Sequence, residues 1–424
     1  MKLFYGWVIV ACAACASFAR QGSAVATLSV FIAPMVAEFD WSRSAISGAV
    51  SLGGVLGAVC APMLGALVDR TGSRVLLLTS AVVASGCAFM LAGVSGLVGF
   101  YVFFGISRMV FTAPFEVGIS TAVANWFERK RGRATAIVSF TSALSLAVMP
   151  LFAQLAIDAN GWRFGWITIG VAVLMVGALP VGLFMRRRPE DMGLRPDGEV
   201  TSPETLESAV SRRRFAPERD FTRAEALRTR SFWLLMVFTG IAFCIQAGIS
   251  LHQAPFLVEQ GISPTVAATI VSAFSLSAAF GSLLFGRLAD RFPIRAILPF
   301  VGLQLALGAL VMRGVETAGD GYLAAVVFGA GIGGLLTLPQ IAFAIYFGRT
   351  HYGAIRGLSL PVQVIGQASG PLLAGVIHDQ TGGYHTAMLV FAGLGLTAAL
   401  TGLAAARPAP PPLRSGDGKS DAVP

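Results

Sequence analysis

The stretch GALVDRTGSR at residues 65–74 returns as GRLADRFPIR at residues 286–295, a displacement of 221 positions (286 − 65). Both copies join the end of one long apolar run to the start of the next. Short charged segments in such places are typical of turns between membrane helices. The same displacement relates Pro150, Asp158 and Gly161 to Pro371, Asp379 and Gly382. The chain is therefore interpreted as two similar halves that arose by duplication.

The shared pattern, G-x-L-x-D-R-x-G-x-R, resembles the loop signature of the major facilitator superfamily. The first copy is complete, whereas the second has Pro293 at the position of the last glycine. The resemblance implies an all-α membrane protein of twelve transmembrane helices, arranged as two six-helix halves. It also implies secondary transport, with a substrate site between the halves near the middle of the membrane.

The composition independently indicates a membrane protein. Hydrophobic residues make up 55% of the chain and charged residues 12%, against roughly 25% charged residues in soluble domains. A net charge of +9 would suit nucleic-acid binding in a soluble protein. Here the basic residues cluster in turns between apolar runs, so we expect a lipid bilayer as the surroundings and no nucleic-acid partner.

Twelve apolar windows reach the length of about 20 residues that a membrane helix needs. They predict an N-terminal bundle at residues 1–185, a cytoplasmic linker at 186–230 and a C-terminal bundle at 231–406. The linker is rich in Arg, Glu, Pro and Ser and is predicted to be solvated, with a short helix near residues 221–228. The proline-rich tail, residues 407–424, is predicted to be disordered.

Loop charge predicts the orientation of the chain. The side that carries both termini has twelve basic residues outside the linker, whereas the opposite side has three, Arg43, Arg163 and Arg313. Because Lys and Arg are retained in cytoplasmic loops, both termini are predicted to be cytoplasmic. We expect a monomer in the bacterial inner membrane.

The repeated turns are predicted to gate transport. An aspartate near a helix end, such as Asp69 or Asp290, can cap a helix start or pair with an arginine, and Gly72 permits a tight reversal. A solvated turn that merely obeys the charge rule would explain one copy, but it explains two copies at matching spacing poorly. The remaining charged members of the predicted gating turns are Arg70, Arg74, Arg291 and Arg295.

Three ionisable residues fall inside predicted membrane helices, where a charge costs a few kcal/mol or more and so indicates a function. Arg20 lies near the centre of the first helix, and Arg108 and Glu116 lie on the fourth. Eight positions correspond to about 12 Å of helical rise, too far for a direct ion pair between Arg108 and Glu116. We predict substrate binding for the two arginines. Glu116 is a candidate for proton coupling, and the alternative is that it only balances one arginine.

Four further polar residues are candidates for substrate binding: Gln246 and His252 on the seventh predicted helix, Gln340 on the tenth and Gln363 on the eleventh. His252 is also a second candidate for proton coupling, since histidine titrates near neutral pH. A lone histidine on a membrane helix is more often a packing residue, and glutamines bind equally well between helices.

No motif of an enzyme is present. The G-x-G-x-x-G at residues 329–334 lies inside an apolar run without a preceding strand, so it indicates close helix packing rather than a dinucleotide site. The sequence contains no H-E-x-x-H, P-loop or G-x-S-x-G pattern. We therefore expect no catalysis, no cofactor and no metal.

Three segments are similar to those of bacterial monocarboxylate and oxalate:formate transporters: FYGW at residues 4–7, EFDWSR at 38–43 and WFERKRGRA at 126–134. This resemblance implies a small organic anion, such as a monocarboxylate, as the substrate, moved together with protons. Those transporters usually carry an arginine on the eighth helix, and residues 266–284 contain none. Arg20 and Arg108 are therefore expected to bind the anion.

Two alternatives stay open. One is a proton-driven exporter of drugs or metabolites with the same fold, for which the phenylalanines near the predicted cavity would suit an apolar substrate. The other is a sensor or scaffold that does not transport, against which the retention of both turns argues.

Overall fold

The computed structural model describes residues 4–198 and 220–409, and the regular structure within these ranges is helical. Eleven helical segments there are apolar and long enough to cross a membrane, and the longest, residues 131–184, has 54 residues. Such a helix would be about 80 Å long, whereas the hydrocarbon core is about 30 Å thick. It is broken at Asn160 and Gly161, where the latter has a φ of 83°, and so forms two spans. The predicted fold class of twelve helices in two halves is confirmed.

The first half contains α1 (Gly6–Arg20), α2 (Val25–Phe39), α3 (Arg43–Thr71), α4 (Ser73–Ala92), α5 (Leu97–Thr112), α6 (Pro114–Trp126), α7 (Arg131–Ala172) and α8 (Leu179–Phe184). A 3-10 turn at Gln21–Ser23 separates α1 from α2, and a π-helical segment at Val173–Ala178 joins α7 to α8. Helices α5 and α6 likewise form one span, residues 97–126. Because α7 is broken into two spans, the first half crosses the membrane six times.

The second half repeats this order. The helices are α9 (Arg223–Leu227), α10 (Arg230–Glu259), α11 (Pro264–Arg291), α12 (Ile294–Arg313), α13 (Ala318–Phe347), α14 (Tyr352–Gly357), α15 (Ser359–Thr381) and α16 (His385–Ala404). The short helix α9 lies in the predicted linker, near the predicted position, and α14 continues into α15 as one span. The centre of the linker and the tail beyond residue 409 lie outside the described residues.

Each half has its own hydrophobic core. One core draws on residues 9–185, and the other on residues 221–405 with the addition of Ala124. In the first core the rings of Phe31 and Trp166 are stacked, with centroids 4.0 Å apart. The outer surface also carries large apolar side chains, such as Val98 at 80% exposure and Met63 at 74%. In water such a surface would be unfavourable, and it fits contact with lipid.

Both described termini lie at the same end of the bundle as the linker. Phe4 packs on Trp126 and Phe127, with ring centroids 6.0 and 5.7 Å apart. The Tyr346 hydroxyl donates a hydrogen bond of 2.5 Å to the Ala405 carbonyl. We call this side the linker end and the opposite side the far end. Both copies of the repeated turn are at the linker end, as an even number of spans requires.

The predicted orientation can be tested on two exposed residues, Thr71 at the linker end and Gly319 at the far end. After replacement of the five native cysteines, a cysteine at position 319 should react with a membrane-impermeant maleimide in intact cells. A cysteine at position 71 should react only after the membrane is opened, because the basic loops stay cytoplasmic. Labelling at 71 in intact cells would reverse the orientation.

Candidate functional site

A cavity of about 640 Å³ lies between the two halves and is lined by residues of both. Four of its lining residues are charged: Arg20, Arg108, Glu116 and Arg356. Three positive charges and one negative charge leave the cavity with a formal charge of +2. In a low-dielectric setting such an excess favours entry of an anion.

The Glu116 carboxylate joins the two halves at this cavity. Its Oε2 lies 2.7 Å from Nη1 of Arg20, and its Oε1 lies 3.2 Å from Nη2 of Arg356. The side chains of Arg20 and Glu116 are only 14% and 12% exposed, and that of Arg356 is 2% exposed. Gln340 donates a further long hydrogen bond of 3.5 Å to Oε1. The carboxylate is thus shared by arginines of both halves.

Broken helices place these charges. Arg20 is in the last turn of α1, and Arg356 is in the last turn of α14. Glu116 is in the first turn of α6, which starts at Pro114 after a break at Ala113. Cations are stabilised at helix C-termini, so Arg20 sits at the favourable end of α1. Glu116 and Arg356 lie where two helical segments continue as one span, so the end of a helix does not account for their charges. Proline suits the start of α6 because it has no backbone N–H to leave unpaired.

Arg108 is held differently. Its guanidinium carbon lies 4.2 Å from the centroid of the Phe111 ring, and that of Arg20 lies 4.1 Å from the same centroid. Arg20 is anchored further by a hydrogen bond of 2.8 Å from Nε to the Phe111 carbonyl. Arg108 has no ion pair within the described ranges, and its Nε is buried without a hydrogen-bond partner. Nε of Arg356 is likewise buried without a partner, but its Nη2 pairs with Glu116. Arg108 is therefore the cavity arginine that has no ionic partner among the described residues.

Arg356 is one of the twelve basic residues that the sequence analysis assigns to the side of the termini, and that assignment is wrong. Helix α14 already begins at Tyr352, so Arg356 is four positions inside a helix and reaches the cavity. With Arg356 removed, the charge count is eleven against three, which leaves the predicted orientation unchanged. The predicted apolar window at residues 354–378 already contains Arg356, and this is the signal that would have placed it within the span.

The three glutamines predicted to bind substrate, Gln246, Gln340 and Gln363, all line the cavity. His252 is not among the lining residues. Its Nε2 lies 3.1 Å from the Pro371 carbonyl and its Nδ1 lies 3.0 Å from the Tyr384 hydroxyl. A carbonyl only accepts, so Nε2 carries a proton, whereas the tyrosine hydroxyl can donate to or accept from Nδ1. Both ring nitrogens are thus hydrogen-bonded away from the cavity.

The two aspartates of the repeated turns bind the opposite half. Asp69 accepts hydrogen bonds of 2.8 Å from the backbone N–H groups of Gly353 and Ala354, at the start of α14. Asp290 accepts bonds of 2.7 and 3.2 Å from those of Gly132 and Arg133, at the start of α7. The first N–H groups of a helix have no partner within it, so each carboxylate completes a helix start in the other half. Together these contacts form what we call the gate.

Glycines allow the helices of the gate to touch. A Cβ atom on Gly132 would collide with the carbonyl oxygen of Gly286, and one on Gly353 would collide with Val68 and the carbonyl oxygen of Gly65. The two crossings are equivalent, because 65 corresponds to 286 and 132 to 353 at the displacement of 221. The gate is therefore duplicated about the axis that relates the halves.

The arginines of the turns have other partners. Arg74 donates a bond of 2.6 Å to the Gly182 carbonyl, and Arg295 donates one of 3.0 Å to that of Leu403, each within its own half. Arg70 and Arg291 are exposed and make no ion pair in the described part of the chain. Gly72 has a φ of 85°, as a tight reversal requires, whereas the second copy uses an extended Phe292 and Pro293 instead.

The family model described as Major Facilitator Superfamily matches residues 9–359 and 247–424. Together these matches extend over nearly the whole chain. The chain belongs to the Major Facilitator Superfamily. Members of this superfamily are transporters, and the duplicated gate and the cavity between the halves lie where such a transporter needs them.

Relatives within the superfamily cover most of the chain. Monocarboxylate transporter 11 of Mus musculus is 25% identical over 403 residues, which is 91% of this chain and 84% of the relative. The 3-(3-hydroxy-phenyl)propionate transporter of Escherichia coli is 29% identical over 338 residues, 76% of this chain and 75% of the relative. The E. coli fucose:proton symporter FucP in the outward conformation has a similar fold, with a TM-score of 0.70 at 14% identity, covering 95% of this chain and 100% of FucP.

Replacing Asp69 by Asn should weaken closure at the linker end, because two charge-assisted hydrogen bonds lose their ionised acceptor. Bonds to charged groups contribute about 1.5–3 kcal/mol, so the ratio of closed to open molecules should fall about tenfold or more. Spin labels at the exposed, equivalent positions Thr71 and Phe292 report the separation of the two turns. An unchanged distance distribution would show that this contact does not hold the gate.

Proposed function

We propose that the chain is a secondary active transporter that moves a small organic anion, such as a monocarboxylate, across the bacterial inner membrane together with a proton. The observation that carries this proposal is the charge of the cavity, where Arg20, Arg108 and Arg356 face a single carboxylate, Glu116. Burying three guanidinium groups beside one carboxylate is costly unless a further anion binds.

Arginine suits this substrate class. The planar guanidinium can donate two parallel hydrogen bonds to one carboxylate, which an ammonium group cannot do in the same geometry. Arg108, whose Nε has no partner, is the group that receives the anion first. Arg20 and Arg356 become available to the anion when their ion pairs with Glu116 break. Monocarboxylate and oxalate:formate transporters usually have an arginine on the eighth helix, which this chain lacks. Arg356 is proposed to replace it, since it supplies a cation from the second half.

The names of two relatives support a carboxylate. One is a monocarboxylate transporter and the other a transporter of 3-(3-hydroxy-phenyl)propionate, itself a carboxylate with an apolar body. Apolar residues of the cavity wall, among them Phe111 and Phe274, fit the apolar part of such a molecule. The side-chain amides of Gln246 and Gln363 can hydrogen-bond to any further oxygen atom of the substrate and so orient it.

Glu116 is proposed as the proton carrier. While ionised, it occupies Arg20 and Arg356 and so competes with the substrate for both. Once protonated, it is neutral and can no longer hold either arginine strongly, so anion and proton enter the cavity together. His252 has no such role in this proposal, because its ring is hydrogen-bonded outside the cavity.

Alternating access follows from the same contacts. The gate and the Glu116–Arg356 pair join the halves at the linker end and at the cavity. With the linker end cytoplasmic, the described conformation is closed to the cytoplasm. Opening of the linker end requires that both capping contacts and the Glu116–Arg356 ion pair break. A proton on Glu116 favours the breaking of the ion pair. Neutralisation of the carboxylate thus links substrate loading to the conformational change.

The proposal predicts an ordered set of affinities for 3-phenylpropionate, measured by calorimetry on the purified protein. Arg20→Lys keeps the charge but loses the bidentate geometry, and should weaken binding about tenfold. Arg20→Ala and Arg356→Ala should abolish it. Arg163→Gln is the matched control, since Arg163 pairs with Glu38 at the far end, and it should bind as the parent does.

A fifth variant tests the coupling. Glu116→Gln removes the competing charge, so anion binding should become stronger and lose its dependence on pH, while proton-driven uptake into proteoliposomes should disappear. If Arg20→Ala binds the carboxylate as well as the parent does, the anion proposal is wrong. Stabilisation by lipophilic cations but not by carboxylates would instead favour the exporter.

A further inference from the structure

The first described part of the linker ends on a buried aspartate that caps a loop of the first half. Asp197 is 7% exposed. Its Oδ2 accepts hydrogen bonds of 3.0 and 2.7 Å from the N–H groups of Glu128 and Arg129, and its Oδ1 accepts one of 3.1 Å from that of Lys130. The residue has a φ of 60°, a conformation that Asp and Asn tolerate better than other side chains do. This backbone conformation directs the carboxylate toward the three N–H groups of the loop.

The second described part of the linker begins with a matching contact on the other half. Asp220 accepts bonds of 2.9 and 3.0 Å from the N–H groups of Arg349 and Thr350, and one of 2.5 Å from the Thr350 hydroxyl. The next residue, Phe221, is 4% exposed. Its N–H donates a bond of 2.9 Å to the Phe347 carbonyl, so the chain is held at this point by backbone and ring contacts as well.

The two loops are equivalent under the repeat. Glu128 and Arg129 correspond to Arg349 and Thr350 at the displacement of 221. Each loop leads within four residues to the N–H groups that bind a gate aspartate, at Gly132 in one half and at Gly353 in the other. The linker therefore binds each loop on one side, and the gate aspartate of the opposite half binds it on the other.

The side chains at the equivalent positions 128 and 349 also contact each other. Nε of Arg349 lies 3.3 Å from Oε1 of Glu128, its Nη2 lies 2.6 Å from Oε1 of Glu190, and its Nη1 donates a bond of 3.3 Å to the Asn125 carbonyl. Burial of Glu190 opposes its ionisation, but the hydrogen bond and charge of Arg349 outweigh this and lower the pKa of Glu190. The backbone that Asp220 fixes therefore carries a side chain that bridges to the first half and to the linker.

We propose that Asp197 and Asp220 are positioning residues of the gate, which hold the two loops in the conformation that Asp290 and Asp69 recognise. The inference rests on the gate described above and extends it to the linker. In this arrangement the linker ends stabilise the state that is closed at the linker end. Among the described residues, neither Asp197 nor Asp220 lines the cavity or hydrogen-bonds to a gate aspartate, although Asp197 and Asp290 interact through their like charges.

The physical reason is preorganisation. The N–H groups at a helix start bind a carboxylate well only when they point together, and the residues just before the helix set their direction. A loop without its linker carboxylate samples more conformations, so binding of the gate aspartate must order it first. The cost falls on the closed state alone, since the gate aspartates do not bind the loops in the open state.

The test uses the full-length protein in nanodiscs, with the five native cysteines replaced and spin labels at positions 71 and 292. Asp197→Asn preserves the size of the side chain and suits the unusual φ. Its amide has one acceptor oxygen instead of two, so its NH2 group must face a backbone N–H to which the carboxylate was bound. Asp220→Asn changes an exposed residue and is therefore safe for folding. Asp191→Asn is the matched control, because among the described residues Asp191 accepts from the Arg188 N–H of its own turn and makes no contact with either loop.

Asp197→Asn and Asp220→Asn should each increase the fraction of molecules with the longer distance between labels severalfold, and Asp191→Asn should not. Affinity for 3-phenylpropionate, once corrected for that fraction, should equal that of the parent. If both variants leave the distance distribution unchanged while Asp69→Asn shifts it, the linker has no part in the gate and this inference is wrong.

Two further outcomes separate the inference from the proposals on which it rests. If Asp69→Asn also leaves the distances unchanged, the gate itself is refuted and the linker proposal is refuted with it. If the distances shift as expected but no variant binds a carboxylate, the positioning role stands and the substrate assignment is wrong. A lower melting temperature with an unchanged distance distribution would show that the two aspartates only stabilise the fold.

Discussion

The closed linker end depends on one kind of interaction, a carboxylate from one half that completes a helix start in the other. A helix start has backbone N–H groups without partners. An aspartate of the same half could accept their hydrogen bonds without restricting the movement of one half relative to the other. Here Asp69 and Asp290 cross between the halves instead. Each helix start is then fully capped only while the halves are together. Four small glycines at the crossings permit this approach, and the cavity lies beyond the gate.

The cavity uses a related principle with side chains instead of backbone. Glu116 satisfies Arg20 and Arg356, so neither guanidinium is an isolated buried charge. The carboxylate has the same chemistry as the proposed substrate, and a bound anion could take its place on both arginines. In the proposed mechanism, protonation of Glu116 decides which of the two carboxylates the arginines bind. This residue would then regulate both the availability of the site and one contact between the halves.

The repeat in the sequence predicted the two halves, the number of helices and the equivalence of the two turns, because helix length and charge pattern are local properties. It did not predict that each turn binds the opposite half, although 132 and 353 are also related by 221 positions. Arg356 was missed because hydropathy cannot separate a basic residue at a membrane boundary from one that turns inward. The helical rise of about 12 Å between Arg108 and Glu116 argued against their pairing. Glu116 instead pairs with Arg20 on the first helix and with Arg356, 240 positions away, and no local pattern reveals these partners.

The repeat also separates the parts of the molecule by function. Gate residues obey the displacement of 221: Asp69 and Asp290, the glycines, and even Arg74 and Arg295 with their carbonyl partners. The charges of the cavity do not, since position 241 is Ile where the first half has Arg20, and position 135 is Thr where the second has Arg356. A gate that must open in both places at once gains from equal strength in its two contacts. The proposed substrate, a small carboxylate, has one charged end, and a site that orients it has to be asymmetric. The charges of the cavity accordingly differ between the halves, whereas the residues of the gate do not.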